Sequence, residues 1–458
     1  MRVSPCAHDL DEERDLRIAI VGTGISGLTA AHYLRRWHEV CLFDGADYVG
    51  GHTHTVDVEF EGEQATIDTG FIVFNDWTYP NFIRLLTELG VAWQDTNMSF
   101  SVRCDRSGWE YNGGSLSGMF VQKRNLLRPG FWRMIQDILR FNRDSPRILG
   151  DADNAETVGA YLKRMGYGAS FADRYLIPMG ASIWSCPPGV FADFPIRFIV
   201  EFYKNHGLLS VNHRPTWRTI QGGSREYVRR LIEPMRSAIR LNTPVARVVR
   251  GSESVTLHSG EGTLGTFDHV VFACHSDQAL KMLDQPTTTE RQVLGEFPYH
   301  VNDVVLHTDV TVMPRRRSAW AAWNYHIGKN DASEATLTYD MNLLQNLSKK
   351  HRYLVTLNST AQIDPGRVLG RYTYAHPVYT TRRAAAQRRH GELLNRNRSS
   401  FCGAYWGNGF HEDGVKSALA VCGALLGEER EWTVVSTKAG FDTVASPPFA
   451  TSSSITST

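Results

Sequence analysis

No apolar run of about 18 residues, the length a membrane-spanning helix needs, occurs in this 458-residue sequence. Net charge is nearly absent too, since 49 Lys and Arg stand against 48 Asp and Glu for a formal +1. Without a basic field to draw phosphates, nucleic acid is not an expected partner. Paired cysteines are missing. The seven present (Cys6, Cys41, Cys104, Cys186, Cys274, Cys402 and Cys422) are odd in number, scattered and never spaced C-x-x-C. Neither a disulfide framework nor a zinc site is indicated. Residues 1–15 are charged and lack an apolar signal core, so a reducing, cytoplasmic setting is expected. What remains, 42% hydrophobic and 21% charged, is a globular composition, long enough for roughly two or three domains.

Glycine and apolar residues are concentrated in one informative stretch, Arg17 to Thr55. The apolar run Ile18–Val21 suits a buried parallel strand. Gly22, Gly24 and Gly27 follow at Gly-x-Gly-x-x-Gly spacing, with Ile25 and Ser26 between the last two and a helical run to Leu34 behind them. A second strand, Val40–Phe43, ends on Asp44, 22 positions beyond Gly22. Gly22 permits the tight turn, Gly24 lets backbone approach a pyrophosphate, and Gly27 allows close helix-to-strand packing. The free N–H groups opening the helix attract phosphate, and Asp44 is placed to accept from a ribose hydroxyl. Strand, turn, helix, strand and carboxylate in this order predict a dinucleotide site.

Further along, Val56–Phe60 and Ala65–Asp68 read as a hairpin bending at Glu61-Gly62-Glu63. Residues 79–212 read as mainly helical. Strand-like runs return at Ile239–Leu241, Val245–Val249, Val255–Leu257 and His269–Ala273. A β-rich block follows at Asn302–Asp309, Ala319–Tyr325, Thr336–Met341 and Tyr353–Asn358, and the last helical run is Val415–Leu426. Dinucleotide-type segments thus lie at the start, middle and end of the chain. Disorder is expected in a lead, 1–15, and a tail, 446–458.

Gly50-Gly51-His52-Thr53-His54-Thr55 follows Asp44 closely. By itself the glycine pair fits either a plain turn or a second backbone approach to the cofactor. With the first glycine motif and the acidic strand end, it resembles the flavin amine oxidase and phytoene desaturase superfamily. It is most similar to a subgroup carrying GGHTHT, with further likeness at Ile67-Asp68-Thr69-Gly70-Phe71, Gly180–Ser185 and Gln221-Gly222-Gly223-Ser224. The resemblance implies an α/β fold. Its Rossmann-like FAD-binding domain is discontinuous in sequence (16–75, 215–285 and 395–428), and a mixed α+β substrate domain spans 76–214 and 286–394. It implies non-covalent FAD rather than NAD, Cys402 being an ordinary buried thiol. The FAD contacts it implies include Gly51, His52 and Thr53, with the ring near Gly70 and Phe71. Val245 would lie against the adenine, Trp406 would edge the ring, and Gly414 and Val415 would open a helix whose first N–H groups face the flavin pyrimidine. Where most members have Arg after Gly-Gly this sequence has His52, and where an acidic residue often follows the later glycine it has Ala404.

Flavin exchanges hydride at N5, so the expected activity is an FAD-dependent oxidoreductase. Aromatic residues available to line its substrate side are Trp184, Trp217, Trp320, Trp323, Tyr325, Tyr374, His376 and Tyr405. No lysine matches the one many amine oxidases use, and no catalytic base or metal ligand is assigned. Residues 119–147 combine seven Lys and Arg with Phe131, Trp132, Ile135, Ile138 and Leu139 on one helical stripe. Such a helix either packs its apolar face inward or lies at an anionic membrane surface. With the subgroup's association with modified fatty acids, the expected substrate is an apolar C–C unit, a fatty-acyl chain of a membrane lipid. An amine oxidase that releases peroxide, a non-catalytic flavoprotein subunit and an NAD dehydrogenase stay open beside it.

Overall fold

Five parallel strands from distant parts of the chain form the sheet on which the site is built. The computed structural model describes residues 15–427 apart from 152–153, 211 and 330–333. Arg17–Val21 pairs with Glu39–Phe43 on one side and His269–Phe272 on the other, Ile18 facing Val40 and His269. Ile239–Arg240 extends the first side and Ser399–Phe401 the second. Ile18, Ala19 and Ile20 are fully buried, as a parallel strand covered on both faces requires. One cover is the helix Ile25–Leu34, buried along its whole length and packed against the helix His411–Leu426. Gly414 allows that approach. A Cβ there would stand 2.8 Å from Ile25 Cγ2 and 2.9 Å from Ser26 Oγ. The fold is the α/β, Rossmann-like type, discontinuous in sequence.

A second sheet has seven strands in the order Val368–Pro377, Tyr299–His307, Leu354–Leu357, Leu337–Asp340, Trp323–Ile327, Phe100–Cys104 and Trp109–Asn112. Trp323–Ile327 and Phe100–Cys104 run parallel, and the other neighbours are antiparallel. Two corrections follow. The stretch 79–212 is not mainly helical at its start, because Trp93–Asp95, Phe100–Cys104 and Trp109–Asn112 are strands. They are too short to show an alternation of their own, and their partners are remote in sequence. Val368–Pro377 was not expected at all. It is an edge strand of polar and aromatic residues, with few aliphatic side chains to mark its period.

The expected hairpin forms from Thr55–Phe60 and Glu63–Asp68, turning on Glu61 and Gly62, both at positive φ (49° and 78°). Asp68 pins it to the rest. Its carboxylate accepts from Thr55 Oγ1 at 2.5 Å, Ser224 N at 2.9 Å and Ser224 Oγ at 2.8 Å. Gly223, at φ +93°, is needed there because a Cβ would lie 2.6 Å from Thr55 Cγ2. In the helix Pro129–Asp144 the inward face is Phe131, Met134, Asp137 and Phe141, while Trp132 and Leu139 are exposed. The expected apolar stripe is therefore split between core and solvent. The expected tail, 446–458, and all of the lead but its last residue lie outside the described residues.

Candidate active site

The carboxyl ends of four parallel strands converge on one cavity of about 1060 Å³, placed between the two sheets. Gly22 follows the first strand, Asp44 the second, Ala273 and Cys274 the third, and Gly403 the fourth, and all of them line it. Strand order reverses direction at Arg17–Val21, so the opening sits at the topological switch point where such sheets bind ligands.

At this end the wall is mostly backbone. Gly22 has φ +109°, and a Cβ there would strike Ala273 O at 2.6 Å. At Gly27 a Cβ would sit 2.0 Å from Gly22 O, whereas at Gly24 it would meet nothing within 4 Å, because Gly24 faces the open cavity. Gly51, at φ +59°, brings the second glycine pair against Gly24, 3.1 Å from a Cβ position to Gly24 Cα. Leu28 N donates to Gly24 O, so the N–H groups of Ile25, Ser26 and Gly27 precede the helix's own ladder and are available to an anion. Asp44 accepts from Thr23 N at 2.8 Å and Thr23 Oγ1 at 2.6 Å through one oxygen, and from Ala46 N at 3.0 Å through the other. A cradle with this open glycine, free N–H groups and a fixed carboxylate fits the pyrophosphate and ribose of FAD.

The middle of the cavity is a set of imidazoles. The His52 ring lies 5.3 Å from Tyr374, 5.4 Å from His376 and 5.9 Å from His275. His275 stacks on Tyr299 at 4.2 Å, and His376 Nδ1 is 3.1 Å from Asn302 Nδ2. Burial lowers His275 to about 4 and His376 to about 3, with neighbouring imidazoles adding to both. Burial likewise lowers His52, against a backbone hydrogen bond with Ala375. All three are neutral at pH 7. His52 Nε2 is buried by the protein and has no hydrogen-bond partner among the described residues. Gly70 lets the chain pass close by, since a Cβ would meet His52 O at 2.1 Å, and Phe71 N donates to that oxygen at 2.7 Å. Three segments far apart in sequence build this cluster, which is why spacing could not reveal it.

The C-terminal helix starts earlier than expected. His411 is its first residue, and Gly414 N already donates to Phe410 O. The N–H groups that open the helix are those of His411 and Glu412, while Gly414 and Val415 pack inside and do not line the cavity. The Asp413 carboxylate, accepting from Phe410 N at 3.0 Å, caps this start. His411 stacks on Phe71 at 3.5 Å, and its Nε2 lies 2.9 Å from Thr53 Oγ1 and 3.1 Å from Tyr227 O–H. Thr53 therefore anchors His411 from behind rather than lining the site. Glu412 accepts from Asn81 Nδ2 at 2.6 Å and Phe82 N at 2.9 Å, and burial pushes it up to about 7.

Of the expected cofactor residues, Gly22, Gly24, Ile25, Ser26, Asp44, Gly51, His52, Gly70 and Phe71 share the cavity wall. Gly27 supports that wall from inside. Val245 lies just before the strand Arg247–Arg250, and Thr243 N of the same turn donates to Asp44 O, so it flanks the Asp44 corner of the cavity without lining it. Trp406 does not edge the cavity. It stacks on His390 at 4.0 Å and meets Phe297 at 5.4 Å in the core behind the sheet. Cys402 is buried away from the cavity as well. Among the aromatic candidates, Trp184, Trp217, Trp323, Tyr374, His376 and Tyr405 reach the wall, whereas Trp320 and Tyr325 do not. No group of three or more His, Cys, Asp or Glu among the described residues could hold a metal ion.

A Rossmann-like sheet with this cradle, opening into a large second chamber, defines a flavoprotein of the FAD-dependent oxidoreductase class. The chain matches the model of the flavin-containing amine oxidoreductases over residues 25–426 and belongs to that family. A Mycobacterium tuberculosis H37Rv protein, provisionally named flavin-containing monoamine oxidase AofH, is 27% identical over 289 residues, 61% of each chain. The match thus spans less than two thirds of that relative's length. Cyclohexylamine oxidase from Brevibacterium oxydans IH-35A aligns at TM-score 0.63 and 16% identity, covering 90% of this chain and 100% of its own. The CLA-producing fatty acid isomerase from P. acnes aligns at TM-score 0.61 and 15% identity, covering 88% and 97%. Both share the fold.

Proposed function

We propose that the protein oxidises or reduces an apolar C–C unit, a fatty-acyl chain of a lipid, by exchanging hydride with bound FAD. FAD, when bound, supplies the hydride acceptor or donor. The observation that carries the reading is the chamber beyond the imidazoles. Its wall there is built from Met179, Ile183, Phe202, Leu208, Trp184 and Trp323. Among the described residues, the side chains with a full charge on its lining are Asp44 and the exposed Asp95 and Arg214. No lysine lines it. Against that aliphatic and aromatic stretch an ammonium would lose its hydration, the lining carboxylates being Asp44 and the exposed Asp95, whereas an alkyl chain gains about 0.8 kcal/mol for each buried CH₂. Removing hydride from one carbon requires a proton to leave its neighbour, and saturation requires the reverse. Neutral imidazoles on the wall, with His275 and His376 among those that burial holds uncharged, are groups able to exchange that proton without placing a charge in the chamber beforehand. The fatty acid isomerase gives a precedent for an acyl substrate on this fold. Anaerobic mixing of the FAD-loaded protein with acyl lipids tests the reading. Bleaching of the flavin band by an acyl lipid, or reoxidation of reduced flavin by its unsaturated counterpart, with a product differing by two hydrogens, is expected. Bleaching by amines alone, with peroxide on admission of air, overturns it.

A further inference from the structure

Six large apolar side chains are exposed among the described residues, and four of them, Leu126, Leu127, Trp132 and Leu139, fall within one stretch. Leu127 is 86% exposed, and Leu126, Trp132 and Leu139 are 49%, 43% and 55% exposed. Leaving an apolar cluster of this kind in water is costly, and such patches mark contact surfaces. This one is held in shape. Trp132 Nε1 donates to Leu126 O at 2.9 Å, and Phe120 packs on the Trp132 ring at 5.3 Å. The turn Lys123–Leu127 is thereby locked onto the start of the helix Pro129–Asp144 as a protruding knuckle.

Its charges are unevenly balanced. Asp137 is taken by Arg133 and Arg140, and Asp144 by Arg143. Lys123, Arg124 and Arg128 have no carboxylate partner among the described residues. Arg124 donates to a carbonyl, Gly108 O. The Trp109 ring takes two cations at once, Arg128 at 5.7 Å and Arg174 at 4.4 Å. Burial lowers the Arg128 guanidinium, and the charges of Arg124 and Arg174 lower it further, as expected where positive charge is in excess. The knuckle is also tied to the rim of the active-site cavity. Tyr175, next to Arg174, lines that cavity, and so do the exposed Gly113 and Gly114 that end the Trp109–Asn112 strand.

We infer that the knuckle Leu126–Leu127–Trp132, with Lys123, Arg124 and Arg128 at its base, docks the protein on an anionic lipid surface beside the mouth of the cavity. Leucines inserted at the acyl boundary with cations at the headgroup level match the two attractions that hold a peripheral protein on a bilayer. A second copy is a poor occupant, because a two-fold contact would press the uncompensated cations together. The docking rests on the acyl-lipid reading for its purpose, but it is measured without turnover.

Flotation of the FAD-loaded full chain with phosphatidylcholine vesicles, with and without phosphatidylglycerol, tests it. Binding to the anionic vesicles is expected, weakened about tenfold or more in the Leu126→Ser/Leu127→Ser variant and also in Lys123→Gln/Arg124→Gln. Unchanged flavin content in both variants shows that they fold. Equal binding of wild type and variants, or no binding to anionic vesicles, overturns the proposal. So does self-association in solution that the leucine variant abolishes while vesicles are ignored. Vesicle binding that persists when no acyl lipid either bleaches the flavin or reoxidises reduced flavin supports the docking and overturns the substrate reading. Loss of vesicle binding with turnover of detergent-dispersed fatty acid retained supports both.

Discussion

The two ends of the cavity are made of different material. The cofactor end is backbone: glycines, of which Gly22 and Gly27 admit no Cβ, the N–H groups opening a helix, and one carboxylate already held by Thr23 and Ala46. The far end is side chain, with Met179, Ile183, Phe202 and Trp323 drawn from separate elements. Backbone geometry tolerates almost no substitution and grips a ligand common to a whole family. An apolar side-chain wall can change residue by residue, and it sets what shares the chamber with the cofactor. Between them stand neutral imidazoles, where most relatives of this kind were expected to carry an arginine.

The largest effect should come from the cofactor end. Gly27→Ala places a Cβ 2.0 Å from Gly22 O, so the strand-to-helix turn must open. Flavin content per protein is expected to fall more than tenfold, roughly the 1–3 kcal/mol that overpacking costs. A variant that keeps full flavin would show that the cradle is not built on this close approach.

Acid comes next, and it reports on the buried imidazoles, His275 and His376 between the two ends among them. Burial holds His206 and His275 at about 4 and His269 and His376 at about 3, against the ordinary 6.5. The unfolded chain therefore takes up protons below pH 6.5 that the folded protein cannot. The stability these groups contribute is fully present above 6.5 and is lost as pH falls toward about 4. Each contributes about 1.4 kcal/mol per pH unit in that window. Asp68, raised to about 6, and Glu412, raised to about 7, act the other way, losing stability as pH rises, but they are fewer. Melting temperature should drop clearly between pH 6.5 and 5, and a flat profile would mean that the imidazoles are not held neutral.

A smaller and more selective effect is expected at the far end. Ile183→Asn puts an amide on the apolar wall and should raise the apparent KM for an acyl substrate about tenfold while flavin content stays at the wild-type level. Equal losses of flavin and substrate binding would erase the division between the ends. The mildest change is Trp406→Phe. Its ring lies between His390 and Phe297 in the core, so melting temperature should fall slightly while the flavin spectrum stays unchanged.

The same division explains what could be read from the residues alone. Gly22, Gly24, Gly27 and Asp44 are local in sequence and act through backbone, so their spacing carries their role. His52, His275 and His376 meet only after the parallel sheet and the strand Val368–Pro377 have formed, and nothing near each histidine in sequence announces the other two. The start of the last helix was misplaced because Gly414 looks like a boundary. Its true function is to let two helices touch, and the cap is Asp413 folding back on Phe410. Trp406 lay in the right segment but on the wrong side of it.

The central claim is that a largely apolar chamber selects an acyl chain for a flavin held by a conventional cradle. The most direct measurement is the flavin absorbance of the purified protein, mixed without oxygen with a phospholipid in one cell and with a primary amine in another. The account predicts bleaching by an acyl lipid of the right saturation, or reoxidation of reduced flavin by its unsaturated counterpart, and no change with the amine. Bleaching by the amine with the lipids inert in both directions would contradict it.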